Sequence, residues 1–386
     1  MAFAHRTDHL RPEGAYQVLA RAQELEATGK DIIHLEIGEP DFRTPQNISQ
    51  AGIDAIRAGQ TRYNPPSGLP QLRQAIADFA GKQRGIQIEP KQVVVGPGAK
   101  PILFFPTLAL VNPGDEVIFP DPGFPTYEAM IGIAGGIPRP VPLREENHFS
   151  FDLKALDALV GKKTRLIILN SPSNPTGGAI PIDDLRHIAK AAIANDCWVL
   201  SDEIYSHLLY DGQSAPSIAA LPGMRERTII LDGFSKTYAM TGWRLGFGIM
   251  PEALADRVGL LLTHSVGCTA HFTQLAGIEA LIGPQDDVSK MVEQYQRRRD
   301  LLVDGLNDLP GITCQKPQGA FYAFPNIRGT GRTSGDLATH LLEHGIAVLP
   351  GSAFGRNGEG YLRLVFANSL ENLSRALERM RMALLS

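Results

Sequence analysis

The chain has 386 residues, of which 43% are apolar and 20% are charged. A chain of this length can bury a large core and is long enough for two or three domains. Its 37 lysine and arginine residues against 41 acidic residues give a formal net charge of -4. This balance provides no overall field for a nucleic-acid backbone or an anionic membrane, so the composition favours small-molecule chemistry.

Cysteine content and segment hydropathy narrow the class further. Cys197, Cys268 and Cys314 are odd in number and far apart, and they form neither a disulfide framework nor a zinc motif. Residues 1–14 lack the apolar stretch of a signal peptide, and the most apolar segment, residues 101–111, is too short to span a bilayer. We therefore expect a cytoplasmic protein without a metal site.

Short apolar runs rich in β-branched residues predict strands along the first two thirds of the chain. They lie at residues 93–95, 116–119, 165–169, 197–201, 228–231 and 245–249. Segments with helical spacing separate most of them. In residues 182–196, the predicted buried stripe consists of Leu185, Ile188, Ala189, Ala192 and Ile193. The alternation favours an α/β fold, with a mostly parallel sheet covered by helices on both faces.

The pattern changes near residue 284. Residues 286–309 have apolar side chains at helical spacing and predict one long helix, whose basic run at 297–299 we interpret as a solvated face. Further strands are predicted around residues 320–324, 346–350 and 361–367. We expect a large domain at 46–284 and a small α+β domain at 285–386, to which an N-terminal arm at 1–45 contributes.

Polar or glycine-rich turns follow several of the predicted strands. They lie at residues 96–100, 170–178, 202–205 and 232–236. In parallel sheets, ligands bind where the carboxyl ends of the strands meet the following loops. These turns are therefore predicted to face one crevice.

A lysine directly after a strand, Lys236, suggests the chemistry of that crevice. A lysine amine, with an ordinary pKa of about 10.4, acts as a nucleophile only in a setting that favours its neutral form, or when it is held as a Schiff base. Pyridoxal phosphate supplies an aldehyde for such a bond, and a buried carboxylate favours protonation of its ring nitrogen. Asp202 is the candidate carboxylate, although an aspartate there could equally cap the following helix.

The glycine turn at residues 96–101 could receive the cofactor's phosphate at a helix N-terminus. It lacks the last glycine of GxGxxG and the GK[ST] ending of a P-loop, so it supports neither a dinucleotide nor a nucleoside triphosphate site. A nicotinamide-dependent dehydrogenase would need that complete fingerprint and is disfavoured.

Seven motifs, in order and at matching separations, carry a family resemblance. They are LEIGEPDF at 35, YNPPSGLPQLRQAIA at 63, NSPSNPTG at 170, SDEIY at 201, GFSKTYAMTGWRLG at 233, PGSAFG at 350 and GYLRLVFA at 360. Over nearly the whole chain they resemble the class I/II aminotransferases of pyridoxal phosphate fold type I, especially the aspartate and aromatic branch. The resemblance implies ping-pong transfer of an amino group from an L-amino acid to a 2-oxo acid, with 2-oxoglutarate as the expected acceptor.

The same resemblance assigns roles around the cofactor. Lys236 would form the Schiff base and shuttle the substrate's α-proton, Asp202 would pair with the ring nitrogen, and Tyr205 with Asn174 would hydrogen-bond the ring's phenolic oxygen. Phe124 would stack on the ring. The implied phosphate cradle consists of Gly98, Ala99, Lys100, Ser235 and Arg244.

Substrate and partner roles follow from the resemblance as well. Arg363 would bind the substrate's α-carboxylate, assisted by Gly38 and Asn174. Tyr63 would reach the phosphate bound in a neighbouring subunit, which implies a homodimer with composite sites.

The motifs leave the donor open, because a dicarboxylate needs a second cation that they do not identify. A pyridoxal phosphate-dependent C–S or β-lyase uses the same scaffold and stands as the alternative function. A ligand sensor with an aminotransferase-like domain is disfavoured, because the first 30 residues are too short for a helix-turn-helix domain and have no basic excess.

Overall fold

The computed structural model describes residues 3–8, 10 and 12–385. Of the predicted N-terminal arm, Met1, Ala2, His9 and Arg11 lie outside the described residues, as does Ser386 at the other end. The α-helices are α1 (Gly14–Glu26), α2 (Gln46–Arg57), α3 (Pro70–Arg84), α4 (Lys100–Leu110), α5 (Thr126–Ile133), α6 (Leu153–Leu159), α7 (Ile182–Ala194), α8 (Phe234–Thr237), α9 (Glu252–Thr263), α10 (His271–Ile282), α11 (Asp286–Asn307), α12 (Ser334–Glu343) and α13 (Leu370–Leu385).

The strands are β1 (Ile33–His34), β2 (Val93–Gly96), β3 (Glu116–Asp121), β4 (Ile137–Arg144), β5 (Ser150–Phe151), β6 (Thr164–Asn170), β7 (Trp198–Asp202), β8 (Thr228–Gly233), β9 (Gly246–Ile249), β10 (Tyr322–Ala323), β11 (Ile346–Ala347), β12 (Leu349–Pro350) and β13 (Leu362–Val365). Within the described part of the chain, no helix combines the length and the apolar character needed to cross a membrane.

The large sheet has the strand order β2-β9-β8-β7-β6-β3-β4-β5. Strands β4, β3, β6, β7 and β8 are parallel, whereas β9 runs antiparallel to both β2 and β8, and β5 runs antiparallel to β4. All six strands predicted for this part of the chain are present, and the predicted α/β class is confirmed. The carboxyl ends of β6, β7 and β8 therefore meet at one edge of the sheet.

Strand β4 was not predicted, because prolines at 138, 140 and 142 argue against a strand in which every N–H must be bonded. The prolines occupy alternate positions, and N–H groups at alternate positions of a strand point to the same side. Ile137, on the other side, donates its N–H to Asp115 at 2.8 Å, where the ladder with β3 begins. The missing donors thus fall on the side away from β3.

Helices cover both faces of this sheet, as predicted. Along β6, Leu166 and Ile168 belong to the apolar cluster that includes α4 and α9, whereas Ile167 and Leu169 pack with α7. On α7 the predicted stripe is buried except at Ile193, which is 43% exposed, so that part of the prediction is wrong. The stripe is one residue narrower than the sequence indicates.

A smaller sheet lies in the last third of the chain, with the order β10-β13-β12 and antiparallel pairing throughout. Strand β1, from the N-terminal segment, pairs in parallel with β11. The contribution of residues 1–45 to a small domain stays a prediction. The boundaries at residues 45 and 284 stay a prediction.

Helix α11 is the long helix predicted from its spacing, but the interpretation of its basic run as a solvated face is wrong. Arg297 is exposed, whereas Arg298 is 9% and Arg299 0% exposed. Arg298 donates to Asp41 at 2.7 Å, and Arg299 donates to both carboxylate oxygens of Asp211 at 2.7 and 2.9 Å. The two arginines tie α11 to distant loops, a use of charge that periodicity does not reveal.

Candidate active site

A cavity of about 630 Å³ opens where β6, β7 and β8 end. The predicted site residues that line it are Gly38, Ala99, Lys100, Phe124, Asn174, Asp202, Tyr205, Ser235, Lys236, Arg244 and Arg363. Gly98 lies directly beside the cavity wall, in the turn before α4. Tyr63 does not line it. The structure thus brings together side chains from both ends of the chain, as the sequence analysis predicted.

Lys236 lies in α8, a single helical turn that follows the end of β8. Its amine donates a hydrogen bond to the carbonyl oxygen of Gly38 at 2.6 Å. Burial lowers the pKa of Lys236 to about 8; the cations Arg363 and Arg244 act in the same direction, while Glu39 opposes them. About a tenth of this amine is therefore neutral at pH 7, far more than for an ordinary lysine, and a nucleophile or proton acceptor requires that neutral form.

Asp202 ends β7 and is 5% exposed. The hydroxyl of Tyr127 donates to one carboxylate oxygen at 2.7 Å, and the N–H of Ile204 donates to the other at 3.3 Å. Burial nevertheless raises the pKa of Asp202 to about 7. A cationic ring nitrogen placed beside this carboxylate would offset the cost of its burial. The helix-cap alternative is not what the geometry shows, because no helix begins directly after Asp202.

Tyr205 and Asn174 lie deeper in the same cavity. The hydroxyls of Tyr205 and Tyr322 are 2.6 Å apart, and burial raises the pKa of Tyr205 well above its ordinary value. The side-chain oxygen of Asn174 accepts a hydrogen bond from Arg363 at 3.2 Å. Asn174 therefore lies beside the guanidinium of Arg363 within the cavity.

Arg363 occupies β13, the central strand of the small sheet, and is 4% exposed. Its guanidinium lies between the rings of Tyr322 and Phe354, 4.7 and 4.8 Å from their centres, and also donates to the carbonyl of Glu36. Its Nε is buried and has no hydrogen-bond partner among the described residues. A buried, unpaired N–H is costly, so this guanidinium is suited to an incoming carboxylate.

The turn before α4 forms an anion-binding arrangement. Ala99 precedes the first residue of the helix, Lys100, so their N–H groups lie at the helix N-terminus. Gly98 has φ +88°, and a Cβ there would collide with the guanidinium of Arg244. The guanidinium of Arg244 therefore lies against this turn, and it donates a hydrogen bond to the carbonyl of Thr241 at 2.8 Å. Ser235, at the start of α8, lines the same part of the cavity.

Two predicted residues have surroundings that the sequence does not indicate. The ammonium of Lys100 pairs with Glu13 of the N-terminal segment and lies 5.4 Å from the centre of the Phe124 ring. Tyr63 is 98% exposed. Its predicted reach into a neighbouring subunit stays a prediction.

Sequence reasoning missed several residues of the site. Tyr127 lies three residues after Phe124, and its hydroxyl on Asp202 could have been sought there as a partner for a buried carboxylate. Tyr322 stands in the apolar run at 320–324, where the pattern indicates only core packing. Glu13, Tyr16 and Thr241 also line the cavity. Glu13 and Tyr16 come from a segment whose pattern gives no signal of a site.

The residues fit pyridoxal phosphate on chemical grounds. The cavity joins a partly buried amine of lowered pKa, a buried carboxylate of raised pKa and a helix N-terminus whose glycine turn admits an arginine. These groups match, in turn, the aldehyde, the ring nitrogen and the phosphate of that cofactor. The fold and the site therefore define a pyridoxal phosphate-dependent enzyme.

Comparisons with known proteins agree. The family described as aminotransferase class I and II matches residues 30–380. The aspartate aminotransferase of Pyrococcus abyssi is 42% identical, over 100% of this chain and 98% of its own. The aromatic-amino-acid aminotransferase 2 of Thermococcus litoralis is 39% identical, with the same coverage. The solved structure of aspartate aminotransferase from Thermus thermophilus with maleate superposes with a TM-score of 0.95 at 35% identity, covering 99% of this chain and 100% of that one.

The chain belongs to the class I and II aminotransferase family. It is a pyridoxal phosphate-dependent aminotransferase, whose substrates are amino acids and 2-oxo acids. The relatives do not favour the lyase that shares this scaffold.

Proposed function

We propose that this aminotransferase takes its amino group from aspartate or from an aromatic L-amino acid, and passes it to 2-oxoglutarate. The observation that carries the proposal is the convergence of Lys236, Asp202 and Arg363 on one cavity. The names of the similar proteins support the donor classes, since they include both aspartate and aromatic aminotransferases.

In this proposal, Lys236 is the base and acid of the reaction. When bound, pyridoxal phosphate supplies the aldehyde that takes up the amino group and a ring that accepts negative charge from the substrate's α-carbon. The Lys236 amine removes the α-proton and returns a proton on the cofactor side. Its lowered pKa, about 8, suits both steps near neutral pH. The hydrogen bond from the amine to the carbonyl of Gly38 supports this role, because Gly38 is a residue proposed to lie beside the substrate.

Asp202 and Tyr205 tune the cofactor from the protein side. Asp202 would hold the ring nitrogen in its protonated form, and Tyr127 fixes the orientation of that carboxylate. Tyr205 and Asn174 would hydrogen-bond the phenolic oxygen, while Phe124 would stack on the ring. Each of these groups positions charge without changing its own covalent state.

The phosphate would be held by the N–H groups of Ala99 and Lys100, together with the side chains of Ser235 and Arg244. Gly98 leaves room for the arginine beside this turn. A helix N-terminus and a guanidinium together favour a dianion strongly. The phosphate thus serves as the anchor of the cofactor.

Arg363 would bind the α-carboxylate of every substrate, with Asn174 and the backbone of Gly38 beside it. For the side chain of the donor, the wall offers the ring of Tyr16 and the ammonium of Lys100, whose partner Glu13 the second carboxylate of aspartate would displace. A cation suits the second carboxylate of aspartate, and aromatic faces suit phenylalanine or tyrosine. The same wall can therefore serve both donor classes.

The test is a visible absorbance titration of the cofactor-loaded protein with aspartate, phenylalanine, tyrosine, alanine and leucine in turn, followed by 2-oxoglutarate. The proposal predicts that aspartate or the aromatic donors change the cofactor band and that 2-oxoglutarate restores it. A band changed by alanine or leucine alone would contradict the donor assignment. Release of ammonia from a cysteine conjugate, without an acceptor, would instead indicate lyase chemistry.

We also infer that the enzyme is a homodimer in which Tyr63 reaches the neighbouring site. A large ring that is 98% exposed is typical of a contact surface and supports this inference. Light scattering should give twice the chain mass, and Tyr63→Ala should weaken cofactor retention in the dimer. A monomer that retains cofactor as tightly as the wild type would contradict the inference.

A cytoplasmic location is part of the proposal. The described cysteines Cys197, Cys268 and Cys314 are all free, which suits a reducing compartment. Fractionation of the source cells checks this, and recovery outside the cytoplasmic fraction would contradict it.

A further inference from the structure

Tyr322 lines the cavity between Tyr205, which is proposed to contact the cofactor, and Arg363, which is proposed to bind the substrate. It begins strand β10 and is 1% exposed. Its hydroxyl is 2.6 Å from that of Tyr205, and its ring lies under the guanidinium of Arg363. A Cβ on Gly38 would collide with the Tyr322 hydroxyl, so the neighbouring backbone is shaped around it. One side chain thus contacts three residues of the proposed site.

The two hydroxyls cannot both donate to each other. Burial raises the pKa of Tyr205 and of Tyr322, so each carries its proton near neutral pH. One hydrogen therefore lies between the two oxygens, and the other hydroxyl is free to donate elsewhere. If Tyr205 donates to the cofactor, then the hydrogen between the pair must come from Tyr322.

A donor to the oxygen of Tyr205 makes the remaining O–H of Tyr205 a stronger donor, because hydrogen bonds in a chain polarise one another. The cavity is buried at this point, and polarisation acts more strongly where water does not screen it. The phenolic oxygen of bound pyridoxal phosphate would then be better stabilised as an anion.

We propose that Tyr322 is a positioning residue, which donates its hydroxyl hydrogen to Tyr205 and so strengthens the bond from Tyr205 to the phenolic oxygen of the cofactor. This inference rests on the proposed role of Tyr205. The ring of Tyr322 has a separate role, because it packs against the guanidinium of Arg363. Loss of the hydroxyl alone should therefore change the electronic state of the cofactor and leave substrate binding intact.

The experiment compares the cofactor-loaded wild type with Tyr322→Phe, Tyr205→Phe and the double variant, by titrating the visible absorbance of the bound cofactor with pH. A hydrogen bond to the phenolic oxygen lowers the pKa of the bound cofactor, which is the pH at the midpoint of the absorbance change. We expect Tyr205→Phe to raise it by about one unit and Tyr322→Phe by about half a unit. The double variant should titrate like Tyr205→Phe, because Tyr322 acts only through that residue.

Steady-state kinetics provide a second readout. Tyr322→Phe keeps the ring under Arg363, so KM for the amino acid should stay within about twofold while kcat falls roughly threefold. An increase in KM at unchanged kcat would overturn the proposal, because it would assign the hydroxyl to substrate binding.

Tyr210→Phe is the matched control. The buried Tyr210 donates its hydroxyl to Ala320, two residues before Tyr322, and it does not line the cavity. The pKa of the bound cofactor in Tyr210→Phe should equal that in the wild type. An equal shift of this pKa in Tyr210→Phe and Tyr322→Phe would overturn the specific role of Tyr322.

The variants also distinguish a failure of the proposed role of Tyr322 from a failure of the proposed role of Tyr205. A shift in Tyr205→Phe with none in Tyr322→Phe would overturn the role of Tyr322 alone. No shift in either would refute the proposed role of Tyr205, and the inference with it. A further shift on adding Tyr322→Phe to Tyr205→Phe would show that Tyr322 acts by another route and would overturn the proposal.

Discussion

The two walls of the cavity are built in different ways. On the cofactor-facing wall, Asp202 and Lys236 come from the ends of neighbouring parallel strands, with Asp202 in register with Leu231 of β8. On the substrate-facing wall, Gly38 and Arg363 come from opposite ends of the chain. These segments meet through the pairing of β1 with β11 and through the N–H of Val365, which donates to the carbonyl of Leu35 at 2.9 Å.

The difference separates chemistry from binding. The first wall is fixed by the large sheet, which places a base, a carboxylate and a helix N-terminus around the cofactor. The second wall depends on long-range contacts, and we propose that it holds the substrate's carboxylate. Substitutions on the first wall should therefore reduce turnover, whereas those on the second should raise KM.

The largest effect is expected on the first wall. Lys236→Ala removes the group proposed to move the α-proton, so turnover should fall by roughly a thousandfold or more. A stopped assay with aspartate and 2-oxoglutarate measures this. Lys91→Ala, which removes an exposed lysine paired with Glu252, is the control and should keep full activity. Retention of a tenth of the wild-type rate by Lys236→Ala would refute its role as the proton carrier.

The second wall should respond in KM. Arg363→Gln removes a charged donor to the α-carboxylate and should raise KM roughly 100-fold for every amino acid tested. Arg328→Gln, which disrupts a guanidinium stacked 4.6 Å from the ring centre of Tyr361 away from the cavity, is the control. A change in KM confined to one class of donor would assign Arg363 to the side chain instead.

The pH dependence of stability tests the burial of Asp202. Its pKa is raised from 3.8 to about 7 in the folded cofactor-free protein, so its stabilising contribution is present below 3.8 and lost as the pH rises through 7. Asp202→Asn should remove that loss. Relative to the wild type, the variant should gain about 2–3 kcal/mol in unfolding free energy between pH 5 and pH 8.

Denaturant titration of the two cofactor-free proteins at both pH values measures this gain. Asn retains an oxygen that can accept from Tyr127, which makes the comparison a matched one. An equal stability difference at pH 5 and pH 8 would show that Asp202 is not protonated in the folded protein. Loading with pyridoxal phosphate should reverse the stability difference, so that the wild type becomes more stable than Asp202→Asn.

Sequence patterns were sufficient for the strands that carry the first wall and for most of the fold. Apolar runs predicted the strands that end at Asp202 and before Lys236, because fully buried parallel strands have a strong local signal. Strand β4 had no such signal, since its alternate prolines are tolerated only by the geometry of its neighbours. The resemblance to a family, rather than periodicity, led to Arg363, which stands between two leucines in a strand.

The remaining site residues depend on contacts that no local pattern encodes. Tyr127 and Tyr322 look like core aromatics until the fold places their hydroxyls beside Asp202 and Tyr205. The burial of Arg298 and Arg299 has the same cause, since their partners, Asp41 and Asp211, are distant in sequence. The spacing of residues along a helix does not reveal ion pairs with partners that are distant in sequence.

The smallest effect on activity is expected away from both walls. Arg299→Met keeps most of the side-chain volume but removes the pairing with Asp211, whose own side chain is 44% exposed. Because the remaining carboxylate can reach water, unfolding free energy should fall by only about 1–2 kcal/mol. Calorimetry should show a lower Tm with kcat and KM unchanged. A large increase in KM would indicate that α11 controls the substrate-facing wall.

The most direct test of the account is borohydride reduction of the cofactor-loaded protein, followed by peptide mass spectrometry. Borohydride fixes a reversible carbon–nitrogen double bond between a lysine amine and an aldehyde. We predict that the mass of reduced cofactor is attached to the peptide that carries Lys236, and that prior addition of an amino acid donor removes it. Attachment to another lysine, or none at all, would contradict the assignment on which both walls of the site depend.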